Sequence, residues 1–181
     1  MDNKGLNNKL PQQKLIVESN SAKFTQKIGG VIARAADRII NNEQDKLKGA
    51  VKVFLSGELG AGKTSLVQGA MAELAPEVRV TSPTYTFINE FSLATYTVYH
   101  VDLYRLESEA ELEYLGLYDL LTEECLILVE WPELILSEAL DYLKIEFSKT
   151  GAEKRSLSFS ARGEKSQQLL KEIKKDEFIR D

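Results

Sequence analysis

Residues 57–64 of this 181-residue chain read Gly-Glu-Leu-Gly-Ala-Gly-Lys-Thr. The stretch fits the pattern G-x-x-x-x-G-K-[ST] at every constrained position. It follows a predicted strand at 51–55 and opens a predicted helix at 63–74. In this context, backbone N–H groups and the N-terminus of a helix point together at a phosphate chain. The stretch therefore predicts an α/β fold organised around a phosphate-binding loop.

The residue types in this loop assign a role to each position. We expect the Lys63 ammonium to reach the β- and γ-phosphate oxygens and the Thr64 hydroxyl to bind Mg²⁺, while backbone amides hold the α- and β-phosphates. The candidate nucleotide-binding residues of the loop are Leu59, Gly60, Ala61, Gly62, Lys63, Thr64 and Ser65. The alternative is a glycine-rich turn with a solvated lysine. This alternative does not explain why the glycines, the lysine and the threonine occur together.

Two carboxylates at the ends of predicted strands are candidates to complete a magnesium site. Glu130 follows an apolar run at 126–129, which is typical of a strand buried on both faces of a parallel sheet. Asp102 follows a second strand segment at 98–101. We favour Glu130 as the metal partner because its strand is more completely apolar. Asp102 would then orient the attacking water or hold the metal through water; a solvated strand-end acid is the plainer alternative for both.

Three further features near these strands have both a structural and a functional interpretation. The hydroxyl-rich segment 81–86 is either a nucleotide-sensing switch or a turn whose hydroxyls cap the local backbone. His100, the only histidine, is expected to be a packed, hydrogen-bonded side chain rather than a catalyst. Trp131 is a candidate core residue, stacking platform or interface anchor.

Strands and helices alternate along the remainder of the chain. Further strands are predicted at 15–17, 84–91, 95–103, 142–147 and 157–159, and further helices at 21–40, 107–115 and 166–178. The segments 84–91 and 95–103 are expected to form a β-hairpin that flanks the main sheet. Polar residues dominate 1–13, which predicts a flexible N-terminal arm, and residues 14–181 are expected to form one domain that includes the C-terminal helix.

Composition narrows the classes of function. Acidic residues outnumber basic ones by 28 to 23, for a formal net charge of −5, which is a poor match for a broad nucleic-acid-binding face. The single cysteine, Cys125, excludes an intrachain disulfide and a multi-thiolate zinc site, and is expected to be a small core residue. No signal segment and no apolar run of membrane length is found, so we expect a cytoplasmic protein without membrane association.

Five segments together resemble those of a known family. They are Gly-Glu-Leu-Gly-Ala-Gly-Lys-Thr at 57–64, Ser-Pro-Thr-Tyr-Thr at 82–86, His-Val-Asp-Leu-Tyr-Arg-Leu at 100–106, Glu-Leu-Glu-Tyr-Leu-Gly at 111–116 and Val-Glu-Trp-Pro at 129–132. In order and spacing they resemble TsaE, the ATPase of bacterial tRNA threonylcarbamoyladenosine synthesis. The first segment is generic, whereas the other four together are specific.

The resemblance implies a single P-loop NTPase domain whose central parallel sheet is extended by antiparallel strands, with helices on both faces. It also implies binding of ATP and Mg²⁺, and slow hydrolysis that serves threonylcarbamoyl transfer to tRNA adenosine by a complex of TsaD and TsaB homologues. Contact with tRNA would be indirect.

The resemblance also implies roles for particular residues. Lys63 matches the phosphate-binding lysine, Thr64 and Glu130 match the magnesium pair, and Asp102 matches a residue needed for hydrolysis. Two positions outside the strong motifs, Thr25 and Arg155, match residues near the nucleotide.

A P-loop small-molecule or nucleoside kinase is the main alternative. Kinases of this kind use arginines on a lid to hold the transferring phosphoryl group. The chain has seven arginines, and none cluster between the P-loop helix and the strand that ends at Glu130. A GTPase is disfavoured because no Asn-Lys-x-Asp or Thr-Lys-x-Asp motif follows the loop.

Overall fold

A computed structural model describes residues 14–42 and 49–180 as a seven-stranded sheet with helices packed around it. The strands are β1 (Lys14–Ser19), β2 (Val51–Gly57), β3 (Ile88–Ser92), β4 (Thr97–Asp102), β5 (Cys125–Glu130), β6 (Tyr142–Lys149) and β7 (Arg155–Arg162). The helices are α1 (Ala22–Ile40), α2 (Lys63–Leu74), α3 (Glu109–Tyr114), α4 (Leu117–Leu120), α5 (Glu164–Ile173) and α6 (Glu177–Arg180), with a 3-10 helix at Pro132–Ile135. The predicted arm at 1–13 lies outside the described residues.

The sheet has a parallel centre and antiparallel edges. Its strand order is β1-β7-β6-β2-β5-β4-β3. β2 pairs in parallel with β6 on one side and with β5 on the other, and β5 pairs in parallel with β4. β7, β1 and β3 add antiparallel strands at the two edges. The expected α/β architecture, a parallel sheet that antiparallel strands extend, is thus confirmed.

The sheet is buried on both faces, and β5 shows this most clearly. All six of its residues are buried. Leu126 and Leu128 belong to one hydrophobic cluster, with α1, α2 and α5, while Ile127 and Val129 belong to a second cluster on the other face, with α3 and α4. This alternation follows from the two-residue period of a strand. Cys125 is buried in the second cluster, and burial raises the pKa of its thiol to about 12.

The hairpin after α2 differs from its predicted position. Its first strand begins at Ile88 instead of residue 84, because residues 84–87 form a turn closed by the Phe87 N–H donating to the Pro83 carbonyl at 2.6 Å. The prediction of a strand from 84 was therefore wrong by four residues. The hairpin also joins the main sheet directly, since β4 lies beside β5.

One predicted helix forms nearly as expected, and another is divided in the structure. The helix expected at 107–115 is α3, which stops before Gly116 at φ +66°, and α4 follows it. The helix expected at 166–178 begins earlier, at Glu164, where Asp141 accepts hydrogen bonds from the N–H groups of Lys165 and Ser166. It ends at Ile173, and α6 follows separately.

No helix among residues 14–42 and 49–180 combines the length and hydrophobicity needed to cross a membrane.

Helices α1 and α2 cross at two glycines, and this contact fixes α2 on the sheet. A Cβ atom at Gly29 would overlap the Leu66 carbonyl oxygen, and one at Gly69 would overlap the Gln26 carbonyl oxygen. Each helix therefore lies against the backbone of the other. Because α2 begins in the phosphate-binding loop, the crossing also sets the direction of that loop.

We predict that Gly69→Ala lowers the free energy of unfolding by at least ~2 kcal/mol, because the added methyl group must displace backbone atoms. Gly30→Ala is the matched control. Its Cβ would lie 3.3 Å from Glu73 Oε2, the movable end of a side chain, so alanine should be neutral or stabilising there. Urea unfolding of the two variants checks this. Equal free energies of unfolding for the two variants would contradict the close backbone contact at Gly69.

Candidate functional site

The loop between β2 and α2 leaves the first amides of α2 open to a ligand. Gly62 is the N-cap of α2, in the left-handed region at φ +108°, and no side chain of the described residues caps the helix there. Gly57, at the end of β2, has φ +138°, and a Cβ atom on it would lie 2.6 Å from the Phe147 carbonyl oxygen. The positive φ favours glycine at both positions, and at Gly57 the Phe147 carbonyl also leaves no space for a Cβ atom. Uncapped N–H groups at a helix N-terminus attract anions.

Lys63 is buried and directed across the loop. Its Nζ donates to the carbonyl oxygens of Gly57 at 2.6 Å and Glu58 at 3.0 Å, and lies 3.9 Å from the ring centroid of Trp131. Burial lowers the pKa of Lys63, and the nearby carboxylates of Glu130 and Asp102 oppose that shift. An ammonium in this position would gain strongly from a phosphate oxygen, which would supply the negative charge that the backbone carbonyls lack.

Thr64 contacts Glu130 across the carboxyl end of the sheet. The Thr64 hydroxyl donates to Oε1 of Glu130 at 2.8 Å and to Oε2 at 3.1 Å. The same Oε1 lies 3.0 Å from Nε2 of His100, which is completely buried. His100 is thus the packed, hydrogen-bonded side chain that the sequence predicts, and its partner is a site residue.

Asp102 lies beside Glu130 but contacts a different segment. The two residues are directly paired in the register of β4 and β5. Asp102 Oδ2 accepts hydrogen bonds from the hydroxyls of Ser82 at 2.7 Å and Thr84 at 2.8 Å, and Oδ1 accepts from the Tyr104 N–H at 3.1 Å. The hydroxyl-rich turn at 81–86 is therefore attached to Asp102.

These groups surround an open cleft of about 260 Å³. Its lining consists of Leu59, Gly60, Gly62, Lys63, Thr64, Ser65, Ser82, Thr84, Asp102, Tyr104, Glu130 and Trp131. Eight of the predicted site residues are among them, whereas Ala61, Thr25 and Arg155 are not. Tyr104 packs on Trp131 with the ring centroids 4.9 Å apart, so two aromatic rings form one wall.

The other three predicted residues do not line the cleft: Ala61 is part of the loop itself, and Arg155 and Thr25 lie next to the loop. Arg155 donates through Nε to the Ala61 carbonyl at 3.1 Å. The Thr25 hydroxyl lies 2.8 Å from that of Ser19, and Thr25 is 1% exposed, so this hydroxyl makes a hydrogen bond in the interior of the fold. Both side chains would lie 3.8 Å from a Cβ atom at Gly62. They support the loop in this structure, and a direct contact with nucleotide stays a prediction for each.

Lys149 is a loop-supporting residue that sequence reasoning missed. Its Nζ donates to the Leu59 carbonyl at 2.8 Å and lies 3.9 Å from Glu58 Oε2. Together with Arg155 it holds the carbonyls of residues 59 and 61, two positions apart, from the same side of the loop. The sequence carries no signal for this role, because only the pairing of β6 with β2 brings the end of β6 beside the loop.

The fold and the site together define the class. A parallel strand, a glycine-rich loop and a helix, with a strand-end acid hydrogen-bonded to the loop threonine, are the parts of a P-loop nucleotide-binding protein. Residues 19–157 match the family described as "Threonylcarbamoyl adenosine biosynthesis protein TsaE", and the chain belongs to that family.

Relatives agree with this assignment. The chain is 41% identical over 101 residues to the tRNA threonylcarbamoyladenosine biosynthesis protein TsaE of Haemophilus influenzae, a match that covers 54% of this chain and 64% of that protein. It is 35% identical over 126 residues to the protein of the same name from Bacillus subtilis, covering 69% and 78% of the two chains. The crystal structure of Bacillus subtilis YdiB superposes with a TM-score of 0.70 at 25% identity, covering 91% of this chain and 96% of that one.

We predict that Lys149→Met weakens nucleotide binding about two- to fivefold without changing stability, because it removes one partly exposed charge and one contact behind the loop. Titration with ATP at low and high salt measures the effect, which should shrink as salt screens the charge. Lys154→Met, on the same hairpin, is the control and should bind like the wild type. Equal affinities for the two variants would remove Lys149 from the site.

Proposed function

We propose that this protein binds ATP with Mg²⁺ in the cleft and hydrolyses it slowly, in support of threonylcarbamoyl transfer to tRNA adenosine by a complex of TsaD and TsaB homologues. The observation that carries the proposal is that one cleft is lined by Lys63, Thr64, Asp102 and Glu130, in a chain of the TsaE family. The catalytic residues would be Lys63, Asp102 and Glu130.

The donor set suits Mg²⁺. Thr64 and Glu130 offer a hydroxyl and a carboxylate, which are the hard oxygen ligands that this ion prefers. Within the described residues, no group of three or more His, Cys, Asp or Glu side chains could hold a metal ion. Two protein ligands are enough when phosphates and water supply the others. Bound Mg²⁺ would neutralise charge on the phosphate oxygens.

The protein's own groups then have separate tasks. The amides at the start of α2 and the Lys63 ammonium would bind and orient the phosphates. Asp102 would act on the attacking water, either directly or through the turn at 81–86. In this structure its Oδ2 already accepts two hydroxyl hydrogen bonds. We infer slow basal hydrolysis from this, because Asp102 becomes available to water only when the turn moves, and a protein partner could cause that movement.

The kinase alternative is weaker than the ATPase. Lys63 is the only basic residue among the described residues that line the cleft. Arg34 pairs with Glu73 and Asp176, and Arg155 bonds the loop backbone. Release of inorganic phosphate without formation of a phosphorylated small molecule would separate the two activities.

Contact with tRNA is proposed to be indirect. The net charge of −5 leaves little driving force from counterion release, which dominates binding to nucleic-acid phosphates. The TsaD and TsaB homologues would then hold the tRNA. Because the proposed pathway modifies tRNA, we propose a cytoplasmic site of action.

The proposal predicts a complex that depends on nucleotide. The chain should co-purify with the TsaD and TsaB homologues of its own cell in the presence of ATP and Mg²⁺, and should dissociate when nucleotide is removed. Lys63→Ala should reduce capture in ATP, since it loses the ammonium that meets the phosphates. Gly30→Ala provides a control away from the cleft. A complex of equal yield with and without ATP, and with Lys63→Ala, would contradict a role for the nucleotide in assembly.

The two carboxylates should give different kinetic signatures. Glu130→Ala should weaken Mg²⁺-dependent nucleotide binding as well as turnover, because a metal partner stabilises the bound ground state. Asp102→Ala should mainly lower turnover, because a group that acts on the attacking water contributes in the transition state. Nucleotide Kd with and without Mg²⁺, together with single-turnover hydrolysis, measures both. The opposite pattern would mean that Asp102 is the metal carboxylate and that we have exchanged the two roles.

A further inference from the structure

His100 is a buried histidine that the P-loop machinery described above does not use. Its side chain is 0% exposed, yet it lies on β4 only two residues before Asp102. Nε2 is 3.0 Å from Glu130 Oε1. Within the described part of the chain, Nδ1 has no hydrogen-bond partner. Burying a ring nitrogen without a partner costs free energy of folding, so apolar packing alone does not account for a histidine here.

The contact with Glu130 accounts for it. With the Glu130 carboxylate as acceptor, Nε2–H is the donor of this contact, and Nδ1 is the ring nitrogen without a partner among the described residues. The Glu130 backbone is fixed separately, since its carbonyl accepts from the Leu103 N–H at 3.0 Å. The carboxylate itself is held by two side chains, Thr64 from α2 and His100 from β4.

The two donors, Thr64 and His100, contact the two carboxylate oxygens of Glu130 unequally. Oε1 accepts from Thr64 at 2.8 Å and from His100 at 3.0 Å, whereas Oε2, among residues 14–42 and 49–180, has only the longer 3.1 Å contact with Thr64. Oε2 is therefore the oxygen with acceptor capacity left for a metal ion or a metal-bound water. Without His100, the carboxylate could rotate about its last bond and present either oxygen.

We propose that His100 is a positioning residue, which fixes the Glu130 carboxylate through Nε2–H so that this carboxylate supports Mg²⁺ in the nucleotide complex. The inference rests on the proposed function, because it takes Glu130 as the magnesium partner. Groups that hold a metal-supporting carboxylate typically change metal affinity by about 10- to 100-fold when they are removed.

The test measures the magnesium gain, defined as the ratio of the nucleotide Kd in EDTA to the Kd in Mg²⁺. Calorimetric titration with the non-hydrolysable analogue adenylyl imidodiphosphate gives both constants. His100→Phe, which keeps a ring but loses the donor, should reduce the gain about tenfold and leave the Kd in EDTA unchanged. His100→Gln, which keeps an N–H donor, should restore most of the gain. Tyr99→Phe is a buried control on the neighbouring position of β4 and should behave like the wild type.

A second comparison separates this inference from the proposed function. Glu130→Gln should lose the magnesium gain, and adding His100→Phe to it should cause no further loss. If Glu130→Gln keeps the gain, the magnesium role of Glu130 fails and the inference fails with it. If Glu130→Gln loses the gain but His100→Phe keeps it, only the role of His100 is overturned.

The wild-type protein offers a measurement that does not depend on folding of a variant. Long-range ¹H–¹⁵N correlation spectra identify which nitrogen of the single histidine carries the proton. The Nε2–H tautomer is expected in the folded protein. The Nδ1–H tautomer would overturn the proposal, because Nε2 could then not donate to Glu130.

Discussion

Parallel pairing of β2, β5 and β4 brings the carboxyl ends of three strands to one edge of the sheet, and the contacts of Glu130 with Thr64 and His100 depend on that register. Glu130 is paired with Leu55 on one side and with Asp102 on the other. The phosphate-binding loop leaves β2 at the same edge, which allows Thr64 to reach Glu130 at 2.8 Å. A shift of one residue would turn these side chains to the opposite face.

Electrostatics explains why cations surround the phosphate-binding loop. Three basic side chains, Lys63, Lys149 and Arg155, donate to backbone carbonyls of the segment 57–61. Donation to these carbonyls fixes the backbone of the loop, in which the Ala61 N–H donates to the Glu58 carbonyl at 3.1 Å. The arrangement also concentrates positive charge around one short loop, where a triphosphate would bring the opposing negative charge. Burial of Lys63 makes that compensation more favourable than it would be in water.

The rigid and the adjustable parts of the site have different physical causes. α2 is held against α1 by backbone contact at Gly29 and Gly69, and β5 is buried throughout. The loop and Glu130 are therefore attached to rigidly packed elements. The turn at 81–86 is exposed at most of its positions and is tied to Asp102 by two hydroxyl hydrogen bonds. Such bonds exchange easily with water or with a ligand. The turn is therefore the part of the site suited to respond to nucleotide.

The sequence by itself determined the phosphate-binding loop, the buried central strand and the two strand-end carboxylates. These features depend on local rules: glycine where the backbone needs φ above zero, a continuous apolar run for a strand buried on both faces, and acids directly after strands. The boundaries of the hairpin and of the helix at 166–178 were less well predicted. A local turn closed by Phe87 delays the first hairpin strand, and Asp141, distant in the chain, caps the N-terminus of α5.

Tertiary structure alone decided which side chains meet. Lys149 lies 90 residues from Leu59 in the chain, and His100 lies 30 residues from Glu130, so no local pattern connects either pair. Thr25 on α1 and Arg155 on β7 lie beside Gly62 of the loop, a proximity that only the fold creates, and their contact with nucleotide stays a prediction. Sequence periodicity states which face a residue occupies, whereas strand order and register decide which residue it faces.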